Sequence, residues 1–208
     1  MDRRRFLLAT AATAATAATL KVFAQGPSSA AVKLTLHSDQ PGAVIPRNFL
    51  GLSYETQQLS VPSFFSPDNH GLIEQVRALA PDGVLRIGGN TSDVGWWKPT
   101  PSSTMPPLPS DVVLRVPSAE RSPLDLAYAV TPEAVRNLRG FLDATGWTCL
   151  YGINLGTNTP ALAAEQAVFV HKTLGPRLEY FQIGNEPDGF PSRFRARATW
   201  NANTYLDQ

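Results

Sequence analysis

The sequence predicts an α/β fold, specifically the first half of a closed (β/α)8 barrel, and three observations predict it. Short apolar runs alternate with helical patterns in the order βαβαβαβ, the signature of a parallel sheet covered by helices. Polar residues gather where the strands end: Glu55, then Asn90 and Asp93, then Asn154 and Asn158, then Asn185 and Glu186. Chemistry-bearing groups at the carboxyl ends of several strands are a barrel pattern. The turn "RIGGNTSD" lacks the G-x-G-x-x-G spacing of an open dinucleotide-binding sheet. A full barrel takes about 250 residues; 208 residues carrying four such strands correspond to half of one.

The elements follow in order. "AAVKLTLHSD" alternates Val32, Leu34 and Leu36 on one face, which predicts a half-buried strand. "FLGLSYE", residues 49–55, is the first barrel strand. "NHGLIEQVRALAPDG" places Leu72, Ile73, Val76, Leu79 and Ala80 on one helical face, and Pro81 ends the helix. "GVLRIGGN" is a buried strand that breaks on two glycines. Residues 98–123 form a Pro/Ser-rich loop with room for a hairpin. "TPEAVRNLRGFLDATG" opens with Thr131 as N-cap and Pro132 at the first helical position, and Gly146 stops it. Val135, Leu138 and Leu142 make its apolar stripe. "TCLYGINLG" is a third strand, "TPALAAEQAVFVHKTLGP" a helix with the same Thr-Pro start, and "LEYFQIG" a fourth strand. "RATWNANTYLDQ" has the pattern of a further helix.

The N-terminus is a separate object. Residues 1–24 combine Arg3, Arg4 and Arg5, a short Ala/Thr-rich apolar stretch with Lys21 near its end, and small residues at the cut after Ala24. This is the pattern of a twin-arginine export signal, which implies the twin-arginine translocase as a partner and a periplasmic or secreted product. Residues 25–48 form an N-terminal β segment and residues 49–208 the partial barrel. Removing Arg3, Arg4, Arg5, Lys21 and Asp2 takes 18 basic and 17 acidic residues to 14 and 16, a net charge of −2. That balance, with no Lys/Arg cluster beyond the signal, excludes a nucleic-acid surface. Cys149 is alone, so no disulfide forms within the chain, and its apolar surroundings make it a core residue. His37, His70 and His171 are dispersed, which gives no metal pattern, and no cofactor is expected.

The strand ends "FLGLSYE", "LRIGGNTSD" and "FQIGNEPD", in that order, resemble glycoside hydrolase family 79, the β-glucuronidase and heparanase family. The resemblance covers nearly all of the chain after the signal. It implies a retaining hydrolase cleaving β-linked glucuronic acid from glycans or glucuronides, with the strand at residues 32–36 joining a C-terminal β-sandwich. It makes Glu186 the acid/base, with Asn185 contacting the sugar 2-OH. Such chemistry needs an acid to protonate the leaving oxygen and, in retaining enzymes, a second carboxylate about 5–5.5 Å away. Pro187 ends the strand and fixes the turn. Glu55, Asn90 and Asp93 are the implied sugar-binding residues; read from the residues alone, Glu55 and Asp93 are equally rim acids or helix caps. Trp96 and Trp97 read as stacking platforms or as wall packing, and Arg86 as a structural partner of a carboxylate. The family's nucleophile comes from a later strand, and beyond Glu186 only Asp188 and Asp207 carry carboxyls. The expectation is therefore an incomplete chain lacking its nucleophile. The alternatives are a non-enzymatic remnant that binds carbohydrate weakly and a related hydrolase acting on a neutral sugar.

Overall fold

The computed structural model describes residues 33–40, 42–114, 125 and 127–208. The expected signal segment lies outside the described residues. Two units are distinguished, residues 1–44 and 45–208. In the first, residues 33–37 take no regular secondary structure, and the main chain turns at His37, whose carbonyl accepts the Gln40 N–H. The expected strand at residues 32–36 is thus not formed over its described part: Leu34 and Leu36 are exposed. A strand requires a ladder partner, and the described residues provide none there.

The second unit is a mixed α/β structure built on a parallel sheet. Strands β1 (Gly51–Glu55), β2 (Val84–Gly88), β5 (Thr148–Ile153) and β6 (Leu178–Ile183) are hydrogen-bonded in that order, all parallel. Helices α1 (His70–Leu79), α2 (Pro132–Thr145) and α3 (Pro160–Leu174) form the crossovers. A short helix, α4 (Ala202–Leu206), follows β6. The hairpin expected in residues 98–123 is not formed over its described residues. Instead β3 (Gly95–Trp97) and β4 (Tyr128–Val130) flank that segment as a separate parallel pair, and two parallel strands need a long connection between them.

Local chemistry sets the helix ends. The Thr131 and Thr159 hydroxyls accept the N–H groups of Ala134 and Leu162, each at 3.3 Å, and proline follows each cap. Gly146 closes α2 in the left-handed region, φ 84°. The core lies between the sheet and the helices. Leu85, Ile87, Cys149 and Tyr151 alternate inward from the strands against Val135, Leu138, Phe141 and Leu142 of α2 and Val170 and Leu174 of α3. Leu79, expected on the buried stripe of α1, is exposed instead, because the helix is in its last turn there. Trp147 packs where a side chain on Gly83 would sit, and its indole N–H donates to the Ala80 carbonyl at 3.1 Å. Among the described residues no helix is long and apolar enough to cross a membrane.

Candidate active site

The alternation that sends Leu85 and Ile87 into the core sends Arg86 to the opposite face of the sheet. There its guanidinium donates to Ser53 Oγ of β1 (2.9 Å), Gln182 Oε1 of β6 (2.9 Å) and Asn185 Oδ1 (2.8 Å). The expected carboxylate partner is absent from these contacts; amide and hydroxyl oxygens take its place. The Asn185 side chain is thereby oriented. Its Nδ2 donates to Asn90 Oδ1 at 3.1 Å, which also accepts from Arg193 Nη1 at 3.1 Å. Arg193 is exposed at this rim, and nothing in its sequence context marks it as part of a site.

Glu186 follows Asn185 beyond the carboxyl end of β6, with its side chain exposed. Its backbone is left-handed, φ 49° and ψ 56°, the one non-glycine residue with positive φ among those described. This region costs an L-residue about 1–2 kcal/mol and persists only where the surroundings over-determine it. They do so here. The Glu186 carbonyl accepts the Gly189 N–H at 2.8 Å, and Trp200 Nε1 donates to the Pro187 carbonyl at 2.7 Å. Below the turn, Phe190 packs edge-on to Phe194 at 5.2 Å and stacks on Trp200 at 5.4 Å.

Glu55 ends β1 with its carboxylate turned to the start of the next turn. It accepts from Asn90 N (3.3 Å), Thr91 N (2.8 Å) and Thr91 Oγ1 (2.7 Å). A Cβ on Gly89, φ 80°, would collide with this carboxylate, so glycine is required there on two counts. Hydrogen bonds link Glu55 through Asn90 to Asn185, and Glu186 is the next residue in the chain. The strands of Glu55 and Glu186 are nonetheless three inter-strand steps apart, roughly 14 Å at about 4.8 Å each.

Asp93 departs from the expected sugar contact. Its relative exposure is 1%, and its oxygens accept backbone N–H groups of Leu155 (3.1 Å), Gly156 (3.2 Å) and Asn185 (2.9 Å). A side chain so enclosed and so engaged does not reach a ligand. Burial pushes its pKa up to about 6, against the lowering effect of the three amides and of Arg195. Arg195 grips the same loop from the other side. It donates to the carbonyls of Leu155 (2.8 Å) and Gly156 (2.7 Å) and lies 5.2 Å from the Trp200 ring. Asp111 stands 3.4 Å from Arg195 Nε, near enough for attraction between the charges but not aligned as a hydrogen bond.

The tryptophans divide. Trp97 is core, tilted on Phe169 at 5.0 Å with its N–H donated to Glu165 at 3.2 Å. Trp96 is half-buried under the Lys98 ammonium. Cys149 is fully buried, and its thiol pKa is pushed well up by desolvation, which removes it as a nucleophile at neutral pH. Among the described residues no group of three His, Cys, Asp or Glu is placed to hold a metal.

The arrangement thus joins Asn90, Asn185 and Glu186 at the mouth of the sheet, braces them with Arg86 and Asp93, and leaves Glu55 at the far edge. No family model matches the chain. The chain is similar to a β-glucuronidase of Aspergillus niger, at 25% identity over 162 residues that cover 72% of this chain and 27% of that protein. Among solved structures it is similar to a 4-O-α-L-rhamnosyl-β-D-glucuronidase from Fusarium oxysporum in complex with Rha-GlcA. That match has a TM-score of 0.47 and 20% identity, and covers 69% of this chain and 29% of the other. The chain therefore spans about a quarter of the length of the curated relative it matches, and its distant relationship is to glucuronidases.

Proposed function

We propose that the chain carries the acid/base half of a retaining glycoside hydrolase that releases β-linked glucuronic acid, on the first four βα units of a (β/α)8 barrel. The observation that carries the reading is Glu186: an exposed carboxyl group in a constrained left-handed turn at the carboxyl end of β6. Next to it stands an amide held by Arg86 and Asn90. In this reading Glu186 protonates the leaving oxygen. The second hydrogen of Asn185 Nδ2 meets the sugar 2-OH, a contact that tightens in the transition state. Glu55 is a rim residue that shapes the Asn90 turn. The similarity to a β-glucuronidase supports an anionic sugar. So does the exposed Arg193 guanidinium, which Asn90 holds at the rim.

None of Glu55, Asp93 and Asp188 is assigned as nucleophile. Glu55 is three strands away, Asp93 is enclosed, and Asp188 lies two residues from Glu186 in the same turn. We also propose export of the protein through the twin-arginine route.

The test is release of phenol and of 4-nitrophenol from their β-glucuronides, with and without sodium azide, a small anion that substitutes for a nucleophilic carboxylate. The expected outcome is release stimulated by azide. The Glu186→Gln variant should lose it on the phenyl substrate, which needs protonation to depart, by at least ~100-fold, and on the nitrophenyl substrate far less. No release from either glucuronide under both conditions, or equal losses on the two, overturns the reading.

A further inference from the structure

We propose that Asp93 is the positioning residue of the Glu186 turn, its single buried carboxylate tying the loops after β5 and β6 to the end of β2. The bearing of this on catalysis rests on the glycosidase reading above; the positioning itself does not. Asp93 lies in the 3-10 turn Asn90–Val94 that follows β2. One of its oxygens accepts both Leu155 N–H and Gly156 N–H, beyond β5, and the other accepts Asn185 N–H, beyond β6. Its own carbonyl accepts the Thr157 hydroxyl at 2.8 Å. Three strand ends therefore meet on one residue. The fit is close: a Cβ on Gly156 would come within 2.6 Å of Asp93 Cβ.

The partner of this clamp is Arg195. The carboxylate holds the N–H groups of residues 155 and 156 while the guanidinium holds their carbonyls. Both faces of one peptide segment are thus engaged by oppositely charged side chains. Asn185 is fixed the same way, with its N–H on Asp93 and its side chain on Arg86 and Asn90. Glu186 is the next residue. Its unfavourable φ is anchored upstream by the Asn185 N–H and downstream by the Gly189 and Trp200 contacts. Loss of the Asp93 acceptor leaves the buried Asn185 N–H without its partner and releases the upstream anchor. Acids are held for catalysis by such supporting contacts, and a displacement of about 1 Å is enough to impair them.

Hydrogen exchange at single-amide resolution tests this without any need for activity. In the unmodified protein the Asn185 amide, although outside the strand, should exchange as slowly as those of Leu85 and Ile87. Asp93→Ala removes all three acceptor interactions. It should accelerate exchange at Leu155, Gly156 and Asn185 at least ~10-fold, with Leu85 and Ile87 within about 2-fold. Asp93→Asn keeps the shape but has one acceptor oxygen, so either Asn185 or the Leu155/Gly156 pair should accelerate, and not both. Exchange of Asn185 at ordinary loop rates in the unmodified protein overturns the proposal, as does acceleration of Leu85 and Ile87 equal to that of Asn185.

The activity arm is separate. Asp93→Ala, which removes the Asn185 anchor outright, should lower kcat on phenyl β-glucuronide at least ~10-fold with KM within about 3-fold, and should cost less on the nitrophenyl substrate. A change confined to KM on both substrates counts against positioning of the acid. Absence of glycosidase activity in the unmodified protein refutes the functional reading and leaves the exchange result to stand.

Discussion

Asp93 shows how one residue type carries different chemistry according to its enclosure. The family resemblance makes Asp93 a sugar contact, whereas from the residues alone it reads as a rim acid or a helix cap. Folded, it is enclosed and accepts three backbone N–H groups. Its folded pKa of about 6 lies above the ordinary 3.8. The group therefore binds its proton more tightly in the folded state. Its contribution to stability is fully present below pH 3.8 and is lost as pH rises through about 6. The charged group facing it is Arg195, itself attracted by Asp111. Urea unfolding at pH 4 and pH 7.5 should show an Asp93-dependent decrease on the order of 2–3 kcal/mol toward the higher pH. The decrease should disappear in Asp93→Asn; an identical pH profile in that variant would refute the assignment.

Among the elements, α2 is the one whose sequence and structure agree most closely. Its Thr-Pro start, its stripe and its glycine stop are local features. Each survives folding because each is satisfied within or next to the helix. The stripe residue Leu138 is fully buried. Leu138→Ala should lower unfolding free energy by about 2–5 kcal/mol in urea titration, and a loss under about 1 kcal/mol would mean that the sheet and α2 do not share a packed core. α1 is less legible. Its apolar spacing includes Leu79 as readily as Val76, but periodicity does not tell how far the sheet extends beneath a helix end. The segment before β4 fails for a related reason. Proline and serine mark it as irregular, but they do not reveal that Gly95–Trp97 and Tyr128–Val130 pair in parallel across it.

For the molecule as a whole, the sheet runs in sequence order, with β1 and β6 each paired on one side among the described residues. Tyr180 and Ile183 of β6 are exposed. The export reading belongs to this scale, because twin-arginine transport carries folded chains. A double variant, Arg3→Lys with Arg4→Lys, should leave the protein in the cytoplasm with its signal uncleaved, as judged by fractionation and mass. Recovery of the variant from the periplasm in normal amount and at mature mass would disprove it.

The sequence by itself determined the βα order, the caps and stops of α2 and α3, the buried character of Cys149, and the placing of Asn90, Asn185 and Glu186 at strand ends. All of these follow from local patterns: the strand and helix periods, the proline and glycine punctuation, and the polar residue where an apolar run stops. Tertiary structure alone decided the rest. Arg86 meets amides because β6 lies two strands away, and Asp93 is buried because the loops after β5 and β6 converge on it. Arg193 and Arg195 belong to the site because the chain doubles back after Pro187 and returns them to the ends of β2 and β5. Contacts between residues up to about a hundred positions apart leave no trace in the spacing of either partner. They arise only when the sheet brings its carboxyl ends together.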